Sequence, residues 1–167
     1  MTRVSVEEAA TLRPMRWWDI EAVSALEREV FGATAWSAEL FWSELVGVPG
    51  THCYLVADVL GSGDGSTTVG YAGLSRTGTD ADVQTLAVAQ AHRGHGVGAA
   101  LLDGLLDHAT CGGCRRVFLE VAADAAAARA LYASRSFSVI DTRRDYYGPG
   151  ADALVMRASL PLASEQP

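Results

Sequence analysis

The stretch Ala91-His92-Arg93-Gly94-His95-Gly96-Val97-Gly98-Ala99-Ala100-Leu101-Leu102 decides how the chain is read, because three alternating glycines stand directly before an apolar, alanine-rich run. A helix N-terminus leaves its first N–H groups unpaired and carries partial positive charge, so successive exposed amides make a cradle for phosphate. Glycine lets a ligand touch the backbone itself, and Arg93 adds a permanent cation at the lip. On these residues alone a ligand-free tight turn stays open as well. So does a third reading, since Gly94-His-Gly96-Val-Gly98-Ala99 satisfies the Gly-x-Gly-x-x-Ala dinucleotide fingerprint and Glu120 ends the next strand as a ribose-binding acid would. Against it, the five residues Ala89 to Arg93 separate the strand end at Val88 from Gly94, whereas a dinucleotide fold puts its first glycine directly after the strand. The chain also lacks room for two mononucleotide-binding halves.

Upstream of the glycines, Asp82 to Val88 alternates and then turns apolar, the pattern of a strand that gains burial toward its end. Downstream, Leu101, Leu102, Leu105, Leu106 and Ala109 recur at helical spacing until Gly112-Gly113. Val117 to Val121 reads as a short buried strand, Asp124 as the cap of an alanine-rich helix over Ala125 to Ser134, and Phe137 to Asp145 with Ala153 to Ala158 as a last hairpin. Toward the N-terminus, Cys53 to Leu60 and Thr67 to Leu74 form a hairpin across a glycine-rich turn. Before it, Thr11 to Pro14 reads as a strand, and Asp19 caps a helix carrying Ile20, Val23, Leu26 and Val30 that Gly32 stops. Ser37 caps a second helix, Ala38 to Val46. Trp17, Trp18 and Trp42 are expected to pack this helical cap over the sheet. This order implies an α+β fold, a mostly antiparallel sheet with one embedded strand–helix–strand–helix unit.

The 167 residues, 49% hydrophobic and 20% charged, fit one domain that needs neither disulfides nor metal, expected over residues 1–160 with a loose tail at 161–167. A net charge of −7 gives no basic field for nucleic acid or an anionic membrane and favours amine-bearing partners. The N-terminus lacks the apolar core of a signal peptide, and no segment has the roughly 18 apolar residues of a membrane span, so the chain is expected in the cytoplasm. Cys111-Gly-Gly-Cys114 has metal-ligand spacing, but no second pair follows it and no metal is expected.

Leu86-Ala-Val88, then Arg93-Gly-His-Gly96-Val-Gly98 and a leucine-rich helix, resembles the acetyl-CoA-binding core of the GCN5-related N-acetyltransferases (GNAT). In that family Q/R-x-x-G-x-G/A cups the cofactor pyrophosphate, and Arg93, Gly96 and Gly98 fill the fixed positions. Leu119-Glu120-Val121, Ala130-Leu131-Tyr132 with Phe137, Arg144-Asp145-Tyr146-Tyr147 and Ala35-Trp36-Ser37 are similar to the RimI-type ribosomal-protein alanine N-acetyltransferases. The chain departs from the family at Ala125, usually Asn, at Ser136, usually Gly, and at Ala35, usually Pro.

The resemblance implies a mixed sheet of six or seven strands with four helices, splayed between the Leu86 to Val88 strand and the Val117 to Val121 strand. Acetyl-CoA would lie there against Leu86, Ala87, Val88, the segment Arg93, Gly94, His95, Gly96, Val97, Gly98 and Ala99, and Asp124, Ala125 and Tyr132. Glu120 resembles the family's general base and Tyr132 its acid at the leaving sulfur, with the Val88 N–H as carbonyl donor. Trp36, Tyr146 and Tyr147 would line a slot for a peptide N-terminus, with Asp145 attracting the amine. The implied activity is transfer of acetyl to a protein's N-terminal α-amine, with an alanine-first ribosomal small-subunit protein as the expected acceptor, by a monomer or weak dimer. The alternatives are lysine or small-amine acceptors, or a non-catalytic acyl-CoA sensor.

Overall fold

The computed structural model describes residues 9–61 and 65–161, so the terminal segment expected as a tail lies outside the described residues from position 162 onward. The strands are β1 (Thr11–Pro14), β2 (His52–Leu60), β3 (Ser66–Thr77), β4 (Asp80–Val88), β5 (Arg116–Ala122), β6 (Ser138–Arg143) and β7 (Ala153–Ser159). The helices are α1 (Ile20–Phe31), α2 (Ala38–Val46), α3 (Val97–Cys111) and α4 (Ala126–Ala133). The sheet order is β1-β2-β3-β4-β5-β7-β6, antiparallel everywhere except between β4 and β5. That is the mixed, mostly antiparallel sheet with four helices that the pattern implies.

Each face of the sheet carries its own core. On one, Leu101, Leu102, Leu105 and Ala109 of α3 are fully buried against Ala72, Leu74 and Val117, and α4 adds Tyr132. On the other, α1 and α2 bring Val23, Leu26 and Phe41 onto Tyr54, Val56 and Tyr71. The leucine spacing of α3 thus becomes a buried stripe, with the exposed Asp103 held by Arg135 at 2.9 Å.

Pairing between β4 and β5 runs only from Asp80↔Arg116 to Val83↔Leu119. The cause lies one residue further, where the register with β3 passes from Leu74↔Val83 to Gly73↔Thr85 and leaves Gln84 as an extra residue. A bulge bends its strand and increases its twist. From Gln84 onward β4 follows β3 while β5 follows β7 to Ala122, so the two strands splay.

Three local expectations need correction. Asp19 does stand at the start of α1, but its carboxylate caps nothing there. It accepts Arg13 Nη1 and Nη2 at 2.7 and 2.8 Å and the Arg16 N–H at 2.7 Å, tying the turn before α1 to β1. Asp124 likewise does not cap α4, because the cap position is Ala125 and backbone bonds, Ala125 N–H to Ala122 and Ala126 N–H to Asp124, close that turn. Trp17, Trp18 and Trp42 do not cover the sheet. They are 61%, 59% and 48% exposed and pack on one another, because Met15 and Phe41 already fill the core beneath.

Candidate active site

The gap left by the splayed strands opens into a cavity of about 630 Å³ that passes through the sheet and is lined in part by Leu86, Val121, Asp124, Ala125, Ala128 and Tyr132. The Ala89 N–H reaches Val69 at 2.8 Å, so by the alternation of an antiparallel ladder the backbone groups of Leu86 and Val88 face away from β3 and into the gap. Consistent with this, Arg93 Nε donates to the Val88 carbonyl at 3.0 Å. The guanidinium expected at the lip is thereby bent back against the strand end. Ala87 points the other way, into the core under α1 and α2.

Gly94 and Gly96 have φ of +77° and +82°, a left-handed conformation that side chains disfavour, and Gly96 is the cap residue of α3. The first bond of the helix runs from Ala100 N–H to Gly96, so the amides of Val97, Gly98 and Ala99 precede the ladder. A Cβ at Gly98 would stand 3.6 Å from Val88 and 3.9 Å from Leu86, which places this turn at the end of the cleft. Bare backbone, donors of the helix N-terminus and Arg93 beside them fit a pyrophosphate, and the adjoining open strand edge fits the amides of a pantetheine arm. His95 lies exposed in the same turn.

A second cavity of about 570 Å³ adjoins the first, and Trp36, Gln84, Glu120 and Tyr147 line both. Tyr146, Glu44, Asp82 and Arg143 belong to the second. Glu120 is ion-paired with Arg143 Nη1 at 2.8 Å, while Arg116 pairs instead with Asp80 at 2.8 Å. Tyr146 and Tyr147 meet edge to face at 5.0 Å, and Arg143 stacks over Tyr146 at 5.6 Å. Burial pushes the Asp82 carboxyl up, helped by the charges of Asp80 and Glu120, and three acids, Glu44, Asp82 and Glu120, line this cavity beside Arg143.

Asp145 does not reach the cavity. It sits in the loop between β6 and β7 at φ +53° and accepts the Gly150 N–H at 2.6 Å, which shapes the loop that presents the two tyrosines. Tyr132 is buried edge-on against Phe137 at 5.9 Å, and burial, with Tyr147 nearby, pushes its phenol up to about 12. It stays protonated, a donor facing the first cavity.

The sequence model of the acetyltransferase (GNAT) family matches residues 15–137. This chain belongs to that family. It is 39% identical over 156 residues to the N-alpha-acetyltransferase RimI of Mycobacterium tuberculosis, covering 90% of this chain and 92% of that protein. An uncharacterized Mycobacterium leprae protein is 40% identical over 145 residues, 83% of this chain, and the match spans 38% of that longer protein. The ribosomal-protein-S18-alanine N-acetyltransferase of Escherichia coli has the same fold, with a TM-score of 0.77 and 26% identity over 95% of this chain and 98% of that one. The chain is therefore an acetyltransferase whose acetyl donor is acetyl-CoA.

Several residues in and around the two cavities escape the motif. Glu27 is buried, accepts the Trp36 N–H at 2.9 Å and is hydrogen-bonded by the Tyr71 hydroxyl. Its signal was a charge at the i+4 position from Val23 on an apolar helix face. Gln84 makes the bulge and accepts the Tyr54 hydroxyl at 2.9 Å, and the same hydroxyl lies 3.1 Å from Glu44. His52 meets Glu44 at 3.1 Å. Arg143, the partner of Glu120, carries no local signal, because only the β6–β7 pairing brings it there. Cys111 is exposed at the end of α3, whereas the Cys114 thiol is buried near the Asp80 carbonyl, and burial pushes it up.

Proposed function

We propose that this acetyltransferase modifies the N-terminal α-amine of a protein, and that a ribosomal small-subunit protein beginning with alanine is its acceptor. The observation that carries the reading is the position of Glu120 between two cavities, one suited to a thioester arm and one to a peptide end. Similarity to RimI and to the S18-alanine enzyme supports the acceptor class. Acetyl-CoA supplies the activated acetyl group. Arg93 and the amides from Gly94 to Ala99 hold the pyrophosphate, His95 and Val97 shape that turn, and Leu86, Val88, Asp124 and Ala125 flank the arm.

An α-amino group has a pKa of roughly 7.7–8.0, so a base must remove just one proton near neutral pH. Glu120 Oε accepts it, directly or through a water, while Arg143 holds the carboxylate in place. The Val88 N–H, directed into the gap, polarises the carbonyl. Tyr132 Oη offers its proton to the departing sulfur from the α4 side. Asp82 and Glu44 favour a cationic amine on approach, and Trp36, Tyr146 and Tyr147 pack the first residues of the acceptor.

The work is done by one domain over residues 1–160, in the cytoplasm, as a monomer or weak dimer without nucleic acid or membrane. Thiol release from acetyl-CoA with peptides differing in their first residue, and with the same peptides blocked at the α-amine, tests the reading. Release limited to free-amine peptides and greatest with alanine is expected. Release from blocked peptides through lysine, or from small amines only, would overturn the acceptor assignment.

A further inference from the structure

Among the described residues Glu27 is the most deeply buried carboxylate, and the chemistry above does not use it. Glu27 is 2% exposed and faces the first cavity from α1. It has donors on two sides, the Trp36 N–H at 2.9 Å and the Tyr71 hydroxyl. Burial pushes the Glu27 carboxyl up while the Trp36 N–H works against it, and Glu27 does not line the second cavity, so it is not placed to meet an acceptor amine, unlike Glu120, which lines both cavities and whose side chain is 31% exposed.

Its partners close a ring. Trp36 packs on Phe41 of α2 at 5.4 Å, Phe41 meets Tyr71 of β3 edge-on at 5.7 Å, and Tyr71 returns to Glu27. Within this ring the Trp36 backbone is fixed by a single side chain from another element, and the Trp36 indole is a wall common to both cavities. The turn between α1 and α2 has little else to hold it: Gly32, Ala33 and Thr34 are exposed, and the Ala35 N–H bonds only locally to Gly32 at 3.2 Å.

We infer that Glu27 is a positioning residue for the acceptor: it ties the α1–α2 turn to the sheet through the Trp36 N–H and the Tyr71 hydroxyl, and so sets the wall against which the first acceptor residue lies. This rests on the reading that the second cavity takes the acceptor. It makes acceptor selectivity depend on a hydrogen bond to backbone, so the exposed Ala33 side chain can vary, whereas Gly32, at φ +56°, favours glycine. It also separates two acids lining the first cavity by role, Glu120 moving a proton and Glu27 moving none.

Glu27→Ala should raise the KM for the peptide acceptor about tenfold, the effect of leaving buried donors unpaired, with kcat and the acetyl-CoA dissociation constant each changed less than about twofold. Glu27→Gln keeps an oxygen for the Trp36 N–H and an amide for the Tyr71 hydroxyl, so it should restore most of that loss. Gln as damaging as Ala would mean that the charge itself acts and would overturn the inference, as would an unchanged KM or an equal loss of acetyl-CoA affinity. Should Glu27→Ala fail to fold, Tyr71→Phe removes one donor and should produce the same KM-only change at smaller size, and no change there would overturn it. Wild-type turnover of the peptide tests the acceptor reading separately. The indole N–H resonance of Trp36, assigned through its loss in Trp36→Phe, tests positioning with no acceptor present: Glu27→Ala should shift and broaden it while that of Trp42 stays. An unmoved Trp36 resonance would overturn the inference.

Discussion

At the α3 end of the gap, Gly94 and Gly96 turn the chain at φ of +77° and +82° and the helix amides do the rest. At the α1–α2 end, Trp36 is held by Glu27 and Phe41, both of which meet Tyr71 of β3, so side chains from three elements make the wall. The first wall is backbone and needs little beyond its own residues. The second is side chain and exists only when distant elements have come together. On the proposed reading, a backbone wall meets what every acetyl-CoA shares, whereas a side-chain wall can be altered one residue at a time, which suits a variable acceptor.

The largest expected effect lies where the two walls meet. Glu120→Gln should lower turnover by roughly 10²-fold or more while leaving the acetyl-CoA dissociation constant nearly unchanged. Steady-state rates with titration calorimetry check this, and a variant that turns over normally would remove Glu120 from the chemistry.

Next in size is Asp19, on the side-chain-built half. Burial pushes its carboxyl up, but the Arg13 guanidinium and the Arg16 N–H outweigh that and hold it below its ordinary value of 3.8. A carboxylate held low stabilises the fold above its unfolded value and loses that contribution as pH falls through the folded one. Asp19→Ala should therefore cost about 2 kcal/mol at neutral pH, a typical loss for hydrogen bonds to a charged group. The difference from wild type should shrink as pH drops below 3.8. Denaturant melts across pH check it; a constant difference would show that the ion pair is not the cause.

Gly96→Ala attacks the backbone wall. A left-handed alanine costs roughly 1–2 kcal/mol, so acetyl-CoA should bind about tenfold more weakly while the acceptor KM stays put. An equal loss for both substrates would mean that the two ends are not separable. The smallest change is Ser136→Gly. Ser136 holds φ +64° in the turn before Phe137, where the family usually places glycine. Relief of that strain, less the entropy glycine brings to the unfolded chain, should stabilise by about 0.5–1 kcal/mol, read as a rise in melting temperature. A fall would mean that the serine side chain earns its place by contacts.

The same contrast explains what the sequence made legible. Spacing of Arg93, Gly96 and Gly98 before a leucine stripe located α3, the turn and the strand leading into it, because local backbone requirements leave local marks. Glu120 and Tyr132, singled out by the motifs around them, line the cavities, and Ser37 does accept the Leu40 N–H at 3.3 Å as its pattern suggested. Asp19 and Asp124 looked like caps because the residue type at a helix start says nothing about competing donors, and Arg13 and backbone turns supplied those. The three exposed tryptophans were misplaced because aromatic rings suit a core in general, but only packing reveals that Met15 and Phe41 have taken the space. Arg143 reaches Glu120 through β7, and Gln84 bulges through its register with β3, both long-range facts.

Initial rates over a grid of acetyl-CoA and peptide concentrations test most directly whether both cavities are filled at once and meet at Glu120. Intersecting double-reciprocal lines are expected, since the amine then attacks with both substrates bound. Parallel lines, the sign of an acetylated enzyme formed before the acceptor arrives, would contradict it.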